Sequence, residues 1–219
     1  MRVLRRLSPL TLLLALGCVE LFAPAPRQPI RINTYRSRLL GQLGRQRVLI
    51  LPFRHLEQEA AQGITEAFAL ELEKAQIVEV ISPEGPAARL LERLAVWNNG
   101  GRDIHCLNTL RQQYKVGAVA VGCVTQYRPY DPPVLGLRVQ VISTRTGSVL
   151  WGAEGCFDAR EASVQAEMER FYKDYLEVEG RAYGWKLLLT SPRHYAQFVA
   201  HQLVATFAPP RRVVASNPN

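Results

Sequence analysis

Histidines and cysteines are the side chains of this 219-residue sequence best suited to chemistry, and it contains four of each. His194 and His201 are seven positions apart on one predicted helix, whereas two helical ligands of one metal ion are usually four apart. His105 and Cys106 are adjacent, and adjacent helical side chains point in different directions. We therefore predict no metal site, no Cys/His nucleophile, and a solvated helix face for His194 and His201.

A second arrangement, around His55, leaves one alternative function open. His55 follows a predicted strand and lies near Glu57 and Glu59, so a hydrolytic or ligand-binding site could be built there. No serine or cysteine stands in a recognisable nucleophile motif, and no glycine-rich stretch matches a phosphate-binding loop. We expect no catalytic residue and no cofactor. A small periplasmic hydrolase or ligand-binding module is the alternative.

Cys18 closes an N-terminal segment that has the parts of an export signal. Arg2, Arg5 and Arg6 precede a leucine-rich run over 7–16, which is the order of a signal peptide. A membrane span would need about 20 apolar residues. The ending "ALGC" resembles a bacterial lipobox, which implies that the cysteine is acylated, palmitate included, and becomes the mature N-terminus.

The lipobox resemblance implies a signal peptide over 1–17 and lipid attachment at Cys18. The chain would then be a lipoprotein anchored in a bacterial membrane and facing the periplasm. Val19 stands where an aspartate would favour the inner membrane, so we expect the outer membrane. Ordinary secretion and an uncleaved anchor are the alternatives.

The remaining cysteines are Cys106, Cys123 and Cys156. Because their number is odd, an oxidising compartment would allow one disulfide and leave one thiol. The sequence does not decide whether Cys123 pairs with Cys156 or with Cys106. We favour Cys123 and Cys156 as small apolar residues buried in strands.

The charge of the chain is moderately positive. Its formal net charge is +8, from 27 basic and 19 acidic residues, and these charges are spread along the sequence. No long basic block is present, so we predict no nucleic-acid partner. The excess would suit a surface near anionic lipid or peptidoglycan.

The chain divides into an N-terminal attachment and one domain. Prolines in "FAPAPRQPIR" exclude a helix interior or central strand, so we predict a lipidated cysteine and proline-rich tether over 18–45, in which "RSRLLGQLGRQ" forms a short helical turn that docks. An α/β envelope domain with a helical C-terminal extension follows over 46–208. Residues 209–219 are predicted to be a disordered tail.

The fold class predicted for this domain is α/β, with a single mixed sheet and flanking helices. "RVLILPF", "GITEAFALELEKA" and "QIVEVIS" indicate a strand, an amphipathic helix and a second strand, which is a βαβ start. A third strand follows over 117–127. Strands over 135–141 and 149–157, joined at Gly147, form an antiparallel hairpin. Helices are predicted over 161–178 and from the Ser191-Pro192 cap onward.

Residues 47–158 resemble a group of bacterial envelope proteins. "RVLILPF", "VGAVAVGCVTQY" and "LRVQVISTRTGSVLW" are similar to the opening, the central strand and the hairpin of the CsgG/LpoB/TolB-N-like group. This group includes the curli-secretion and penicillin-binding-protein-activator lipoproteins and the amino-terminal domain of the Tol translocation protein. The resemblance implies a mixed α/β domain that binds proteins and has no catalytic residues. The connections are too short for membrane-spanning hairpins, so no pore is expected.

A proline- and tyrosine-rich loop, "RPYDPP", is the candidate partner-binding site. Arg128 and Tyr130 lie on it, with Tyr127 before it and Trp151 on the returning hairpin strand, and Tyr, Trp and Arg are common interface anchors. The alternative places Tyr127 and Trp151 in the core. The sequence thus predicts a non-catalytic, membrane-anchored periplasmic lipoprotein that binds an unidentified envelope protein in assembly or secretion, and it leaves open a homo-oligomer.

Overall fold

The computed structural model describes residues 29–43, 46–54, 58–82, 104–130, 132–177 and 184–207. The predicted signal peptide, Cys18, the first part of the tether and the tail over 209–219 lie outside the described residues. So do His55, Glu57 and the helix predicted between 83 and 103.

One six-stranded mixed sheet organises the described chain, in the strand order β1-β6-β5-β4-β2-β3. The strands are β1 (Ile32–Arg36), β2 (Arg47–Ile50), β3 (Glu79–Ile81), β4 (Ala118–Arg128), β5 (Val134–Ser143) and β6 (Val149–Asp158). The α-helices are α1 (Gln58–Lys74), α2 (Ile104–Tyr114), α3 (Ala162–Phe171), α4 (Leu187–Thr190) and α5 (Pro192–Ala205). The predicted fold class, a single α/β domain with a mixed sheet and flanking helices, is confirmed.

The parallel part of the sheet follows from buried strands and an amphipathic helix. Strand β2 pairs in parallel with both β3 and β4, and α1 makes the connection from β2 to β3. Ile64, Phe68 and Leu72, one stripe of α1, are all buried, as the 3.6-residue periodicity requires. The predicted βαβ start is therefore confirmed.

The antiparallel part is the β5–β6 hairpin, which adjoins β4 on one side and β1 on the other. Its turn ends at Gly147, whose φ is +68°, a conformation that glycine adopts without the steric cost of a Cβ. Leu137 and Val139 point into the core while Arg138 between them points out. The predicted hairpin and its alternation are confirmed.

Strand β1 corrects the predicted N-terminal boundary of the domain. Residues 32–36 were assigned to the tether, yet they pair with β6 in the register Ile32↔Gly155 to Arg36↔Trp151. The folded region thus includes residues well before 46. A five-residue edge strand whose partner lies more than 100 positions away leaves only a weak local signal. The docking helical turn is confirmed as a 3₁₀ helix, Arg38–Gln42, with Ser37 as its cap.

The two faces of the sheet are covered unequally. Helices α1, α3 and α5 pack on one face, here called the covered face, over a large core that includes Phe68, Trp151 and Phe198. On the other face α2 packs Leu107 and Leu110 over the parallel strands in a smaller cluster. The rest of this second face, formed by β4, β5 and β6 outside that cluster, is here called the open face. It carries exposed side chains, among them Cys123, Arg138 and Cys156.

The C-terminal helices follow the predicted pattern with one exception. Val164, Met168, Phe171 and Tyr172 are buried. The predicted helix over 161–178 is an α-helix only as far as Phe171 and ends in a π-helical turn, Tyr172–Leu176, in which Tyr175 is 57% exposed. The next predicted start is confirmed, because the Ser191 hydroxyl caps α5 and proline follows it. Within the described residues, we find no helix with the length and apolar character needed to cross a membrane.

Candidate partner-binding surface

The β4–β5 loop, residues 129–133, lies at one end of the sheet, here called the loop end. Strand β4 shifts register between Val124 and Gln126, and such a bulge increases strand twist and re-aims the residues beyond it. Arg128 ends the strand, and its Nε donates to the carbonyl of Pro132 at 3.1 Å. This bond spans the loop from strand end to strand start and restricts its conformations.

Tyr130 lies at the tip of this loop and is 60% exposed, the largest exposed fraction among the described large hydrophobic side chains. A tyrosine combines a large apolar ring with a hydroxyl at low conformational-entropy cost. Because the Arg128 bond already restricts the loop, binding of a partner to Tyr130 would cost less conformational entropy than binding to an unrestrained loop.

Tyr127 joins this loop to a groove between α1 and α5. The ring is half-buried against the core and lines a groove of about 250 Å³ together with Glu59, Leu70 and Arg193. Leu70 is exposed, so the groove offers an apolar wall with charged rims. This arrangement of exposed aromatic, apolar wall and mixed charge is that of a protein contact rather than of an enclosed small-molecule pocket.

An ion pair between Arg160 and Asp158 lies beside the loop. The Arg160 side chain hydrogen-bonds both carboxylate oxygens of Asp158 at the end of β6. These bonds, with a smaller contribution from Arg128, lower the pKa of Asp158 to about 2. The loop end therefore carries a fixed carboxylate between two arginines over the whole physiological pH range.

Trp151 lies in the core, so the structure removes it from the predicted partner-binding set. It is 0% exposed, its ring packs edge-on to Phe207 with centroids 5.2 Å apart, and it stacks on Phe68 at 6.5 Å. Its Nε1 has no hydrogen-bond partner among the described residues. The candidate residues that remain are Tyr127, Arg128 and Tyr130, which lie at the loop end.

The prediction that Cys123 and Cys156 are buried is wrong. Both lie exposed on the open face, and neither is joined in a disulfide. Each occupies a strand position on the side away from the large core, where α2 does not reach. The Cys156 thiol contacts Gln126 Oε1 at 3.2 Å. Its pKa is raised, mainly because the thiol is partly removed from water and also because the negative charges of Asp158 and Glu161 lie near it.

Glu71, Lys74 and His201 form a polar cluster between α1 and α5 that the sequence did not predict. Glu71 is 4% exposed, and its carboxylate meets Lys74 Nζ at 2.6 Å and His201 Nδ1 at 3.1 Å. Burial alone would raise the pKa of Glu71, but hydrogen bonds from His201 and Lys74 outweigh it and lower the pKa. His201 therefore does not lie on a solvated face. The available signal was that Glu71 follows Phe68 by three positions, on the core stripe of α1.

We also searched the described residues for side chains that could bind a metal ion. Among the described residues no group of three or more His, Cys, Asp or Glu side chains could hold a metal ion. Glu59 lines the groove beside the loop, while its predicted companions His55 and Glu57 fall outside the described residues. His194 contacts the hydroxyl of Ser191 at 2.7 Å, which is part of the α5 cap.

The sheet order, the helices on both faces and the surface at the loop end define the class of the domain. It is an open mixed α/β sheet that presents a braced aromatic loop beside a helix groove. No protein-family model and no curated protein matches this chain. Solved structures do match, and these are similar in fold.

PelC from Paraburkholderia phytofirmans, solved as a dodecamer, is 14% identical over 83% of this chain and 99% of that chain, with a TM-score of 0.51. Lipoprotein GNA1162 from Neisseria meningitidis is 18% identical over 55% of this chain and 89% of that chain, with a TM-score of 0.37. The LpoB C-terminal domain from Salmonella enterica is 15% identical over 54% of this chain and 91% of that chain, with a TM-score of 0.34.

At these identities the comparison shows the fold. The PelC match carries the argument, because the other two TM-scores are too low to add to it.

Proposed function

We propose that this chain is a non-catalytic lipoprotein of the bacterial cell envelope that binds a protein partner in envelope assembly or secretion. A lipid on Cys18 holds it at the periplasmic side of the outer membrane. The observation that carries the proposal is Tyr130, a 60% exposed aromatic ring on a loop that Arg128 braces from within.

The loop end supports binding better than catalysis. Tyr127, three positions before Tyr130, lines the groove together with Leu70, and Glu59 and Arg193 border the same groove. Interfaces of this kind depend on a few aromatic and arginine anchors within a polar rim. The partner therefore packs on Tyr130 and meets charge on both sides.

The course of β1 supports a membrane-proximal position for this surface. Strand β1 runs antiparallel to β6 and begins opposite Gly155, near the end of β6 that leads to the loop end. The chain thus enters the domain from the side of Tyr130. About 14 residues separate Cys18 from Ile32, and such a segment reaches at most roughly 45 Å. Ile32, where β1 begins, would lie within that distance of the lipid.

Self-association belongs to the same proposal. PelC, which shares the fold, was solved as a dodecamer, and a lipid anchor would concentrate copies of this chain in one membrane plane. We propose that the anchored chain forms a homo-oligomer. Light scattering on the detergent-purified chain would test this, and a single-copy mass at all concentrations would contradict it.

Photo-cross-linking in intact cells tests partner binding. A photoreactive amino acid replaces Tyr130 in one variant and Tyr175 in the matched control, because the two rings are 60% and 57% exposed. We expect a discrete cross-linked product at position 130 and none of the same mass at position 175. Identification of that product names the partner.

Co-purification provides the second arm. The Arg128→Ala/Tyr130→Ala variant should recover the cross-linked partner about tenfold less than the wild type, since loss of an anchor weakens binding by 1.4 kcal/mol or more. Tyr35→Ala, which removes a ring that is 56% exposed, should leave recovery unchanged. Equal products at both cross-linking sites, or unchanged recovery in the double variant, would overturn the proposal.

A further inference from the structure

A second cleft lies at the opposite end of the sheet, where residues 144–148 join β5 to β6; this is the turn end. The cleft has a volume of about 170 Å³ and lies between the β5–β6 turn, the α2–β4 connection and the 3₁₀ helix. Arg111 and Arg145 both line it, and among the lining residues that the structure describes none is acidic. The groove at the loop end differs, because Glu59 and Glu66 share it with Arg193.

The positive charges of the cleft are not used elsewhere in the fold. Neither guanidinium makes an ion pair or hydrogen bond with another described residue, whereas Arg138, Arg160 and Arg170 each pair with a carboxylate. A cation in the last turn of a helix stabilises the helix dipole. At the end of α2, however, Arg47 already donates to the carbonyl of Tyr114 at 3.0 Å.

The walls of the cleft are held by a network that crosses from the turn to the α2–β4 connection. Thr144 is 2% exposed, and its hydroxyl donates to the carbonyls of Val116 and Gly117 at 2.9 and 3.0 Å. Its backbone N–H donates to Gly117 as well, at 3.0 Å. A Cβ at Gly117 would stand 1.9 Å from Gln46 Oε1, so Gln46 closes tightly on this floor. These bonds hold the turn against the α2–β4 connection.

Two hydroxyls at the rim are set up as donors. The Ser143 Oγ accepts the backbone N–H groups of Arg145 and Thr146 at 3.3 and 3.4 Å, and the Thr146 Oγ1 accepts that of Ser148 at 3.3 Å. A hydroxyl that accepts on its oxygen still has its proton to donate. Two arginines and two side chains with a hydroxyl proton to donate therefore line one small cleft.

We infer that this cleft is a binding site for a phosphate group. Arginine forks match tetrahedral phosphate oxygens with paired hydrogen bonds, and a phosphate offers more acceptor oxygens to four donors than a carboxylate does. The volume fits one such group. The phosphate comes either from a small soluble ester or from a phospholipid headgroup. This site is separate from the partner surface, so it stands or falls independently of it.

Calorimetric titration of the full detergent-purified chain tests the assignment. The probes are inorganic phosphate, glycerol 3-phosphate, and vesicles of phosphatidylcholine with and without phosphatidylglycerol. The wild type should bind both soluble phosphates, and Arg111→Lys/Arg145→Lys should bind them about tenfold more weakly, because lysine keeps the charge but loses the fork. Arg31→Lys/Arg170→Lys alters two exposed arginines that line neither the cleft nor the groove at the loop end, and it should bind as the wild type does.

The vesicle arm separates the two sources of phosphate. Binding that requires phosphatidylglycerol and is lost in the Arg111/Arg145 variant but kept in the Arg31/Arg170 variant assigns a lipid headgroup. Binding of the soluble phosphates alone, with the same dependence on variant, assigns a soluble ester. Circular dichroism confirms that each variant is folded. No binding by the wild type, or equal weakening in both double variants, would overturn the inference.

Discussion

The two sides of the β5–β6 hairpin show how differently one stretch of chain is used. Leu137 and Val139 are fully buried under the helices of the covered face, while Arg138 between them pairs with Glu154 on the open face at a distance of 2.7 Å. The covered face therefore holds the fold together. The open face tolerates polar side chains and free thiols, because no described helix reaches it. Substitutions of neighbouring residues should then differ widely in their effect on stability.

The largest effect is expected from Trp151 on the covered face. Trp151→Ala would remove a fully buried ring that contacts Phe68 and Phe207, at a cost of about 3–5 kcal/mol in the free energy of unfolding. Urea denaturation monitored by circular dichroism measures this cost. Glu154→Ala, on the same strand but the other face, is the matched control and should cost about 1 kcal/mol or less. A similar loss in both variants would erase the contrast between the faces.

A smaller effect is expected from the one acidic side chain buried on the covered face among the described residues. Glu71→Gln would weaken the bonds from His201 and Lys74 and should cost about 1–3 kcal/mol at neutral pH. Because the folded-state pKa of Glu71 lies below its ordinary value of 4.5, this contribution is present above that value and is lost as the pH falls through the folded pKa.

The test compares unfolding free energies of the wild type and Glu71→Gln between neutral and acid pH. The difference between them should shrink as the solution is acidified. Glu73→Gln, an exposed neighbour on the same helix, should show no such difference at any pH. A constant difference for Glu71→Gln down to strongly acid pH would show that its carboxylate does not carry the effect.

On the hairpin itself the contrast can be measured with adjacent residues. Leu137→Ala should cost about 2–5 kcal/mol because it leaves a cavity under the helices. Arg138→Ala breaks only an exposed ion pair and should cost no more than about 1 kcal/mol, with less effect at high salt. Equal costs would mean that the open face is covered in solution.

Thiol labelling has the smallest effect on the fold and reports the open face directly. Cys123 and Cys156 are exposed and Cys106 is partly covered, so a water-soluble thiol reagent should label two cysteines rapidly and a third more slowly. Cys156 should react faster as the pH rises toward its raised pKa. Protection of both strand cysteines in the native chain would contradict the exposed placement.

Local patterns were enough to predict most of the architecture. Helix α1 was predicted from apolar residues that recur with a period of 3.6 residues. The hairpin around Gly147 was predicted from an alternation with a period of two residues, and β2 from a continuous apolar run. The features that were missed depend on distant pairing. Strand β1 needs β6 as its partner, and the burial of Trp151 needs Phe207 from beyond the end of α5. Both partners lie far away in the sequence.

The candidate site was predictable in part, and for the same reason. Tyr127, Arg128 and Tyr130 are consecutive or nearly so, so their shared position at the loop end follows from one turn. The groove beside them joins α1 to α5, and the cleft at the turn end joins Arg111 of α2 to the hairpin turn. The groove and the cleft are each formed by residues from separate segments, so no local sequence pattern predicts them. The exposure of Cys123 and Cys156 depends on how far α2 extends across the sheet, which strand alternation alone does not indicate.

The central claim is that the chain is exported and anchored through Cys18, and the mass of its mature N-terminus tests that claim most directly. Cells are grown with labelled fatty acid, the chain is purified from membranes, and its N-terminal peptide is analysed by mass spectrometry. We predict a chain that begins at Cys18, carries the label and loses it in Cys18→Ser. A chain that retains Met1 and no label would contradict the account.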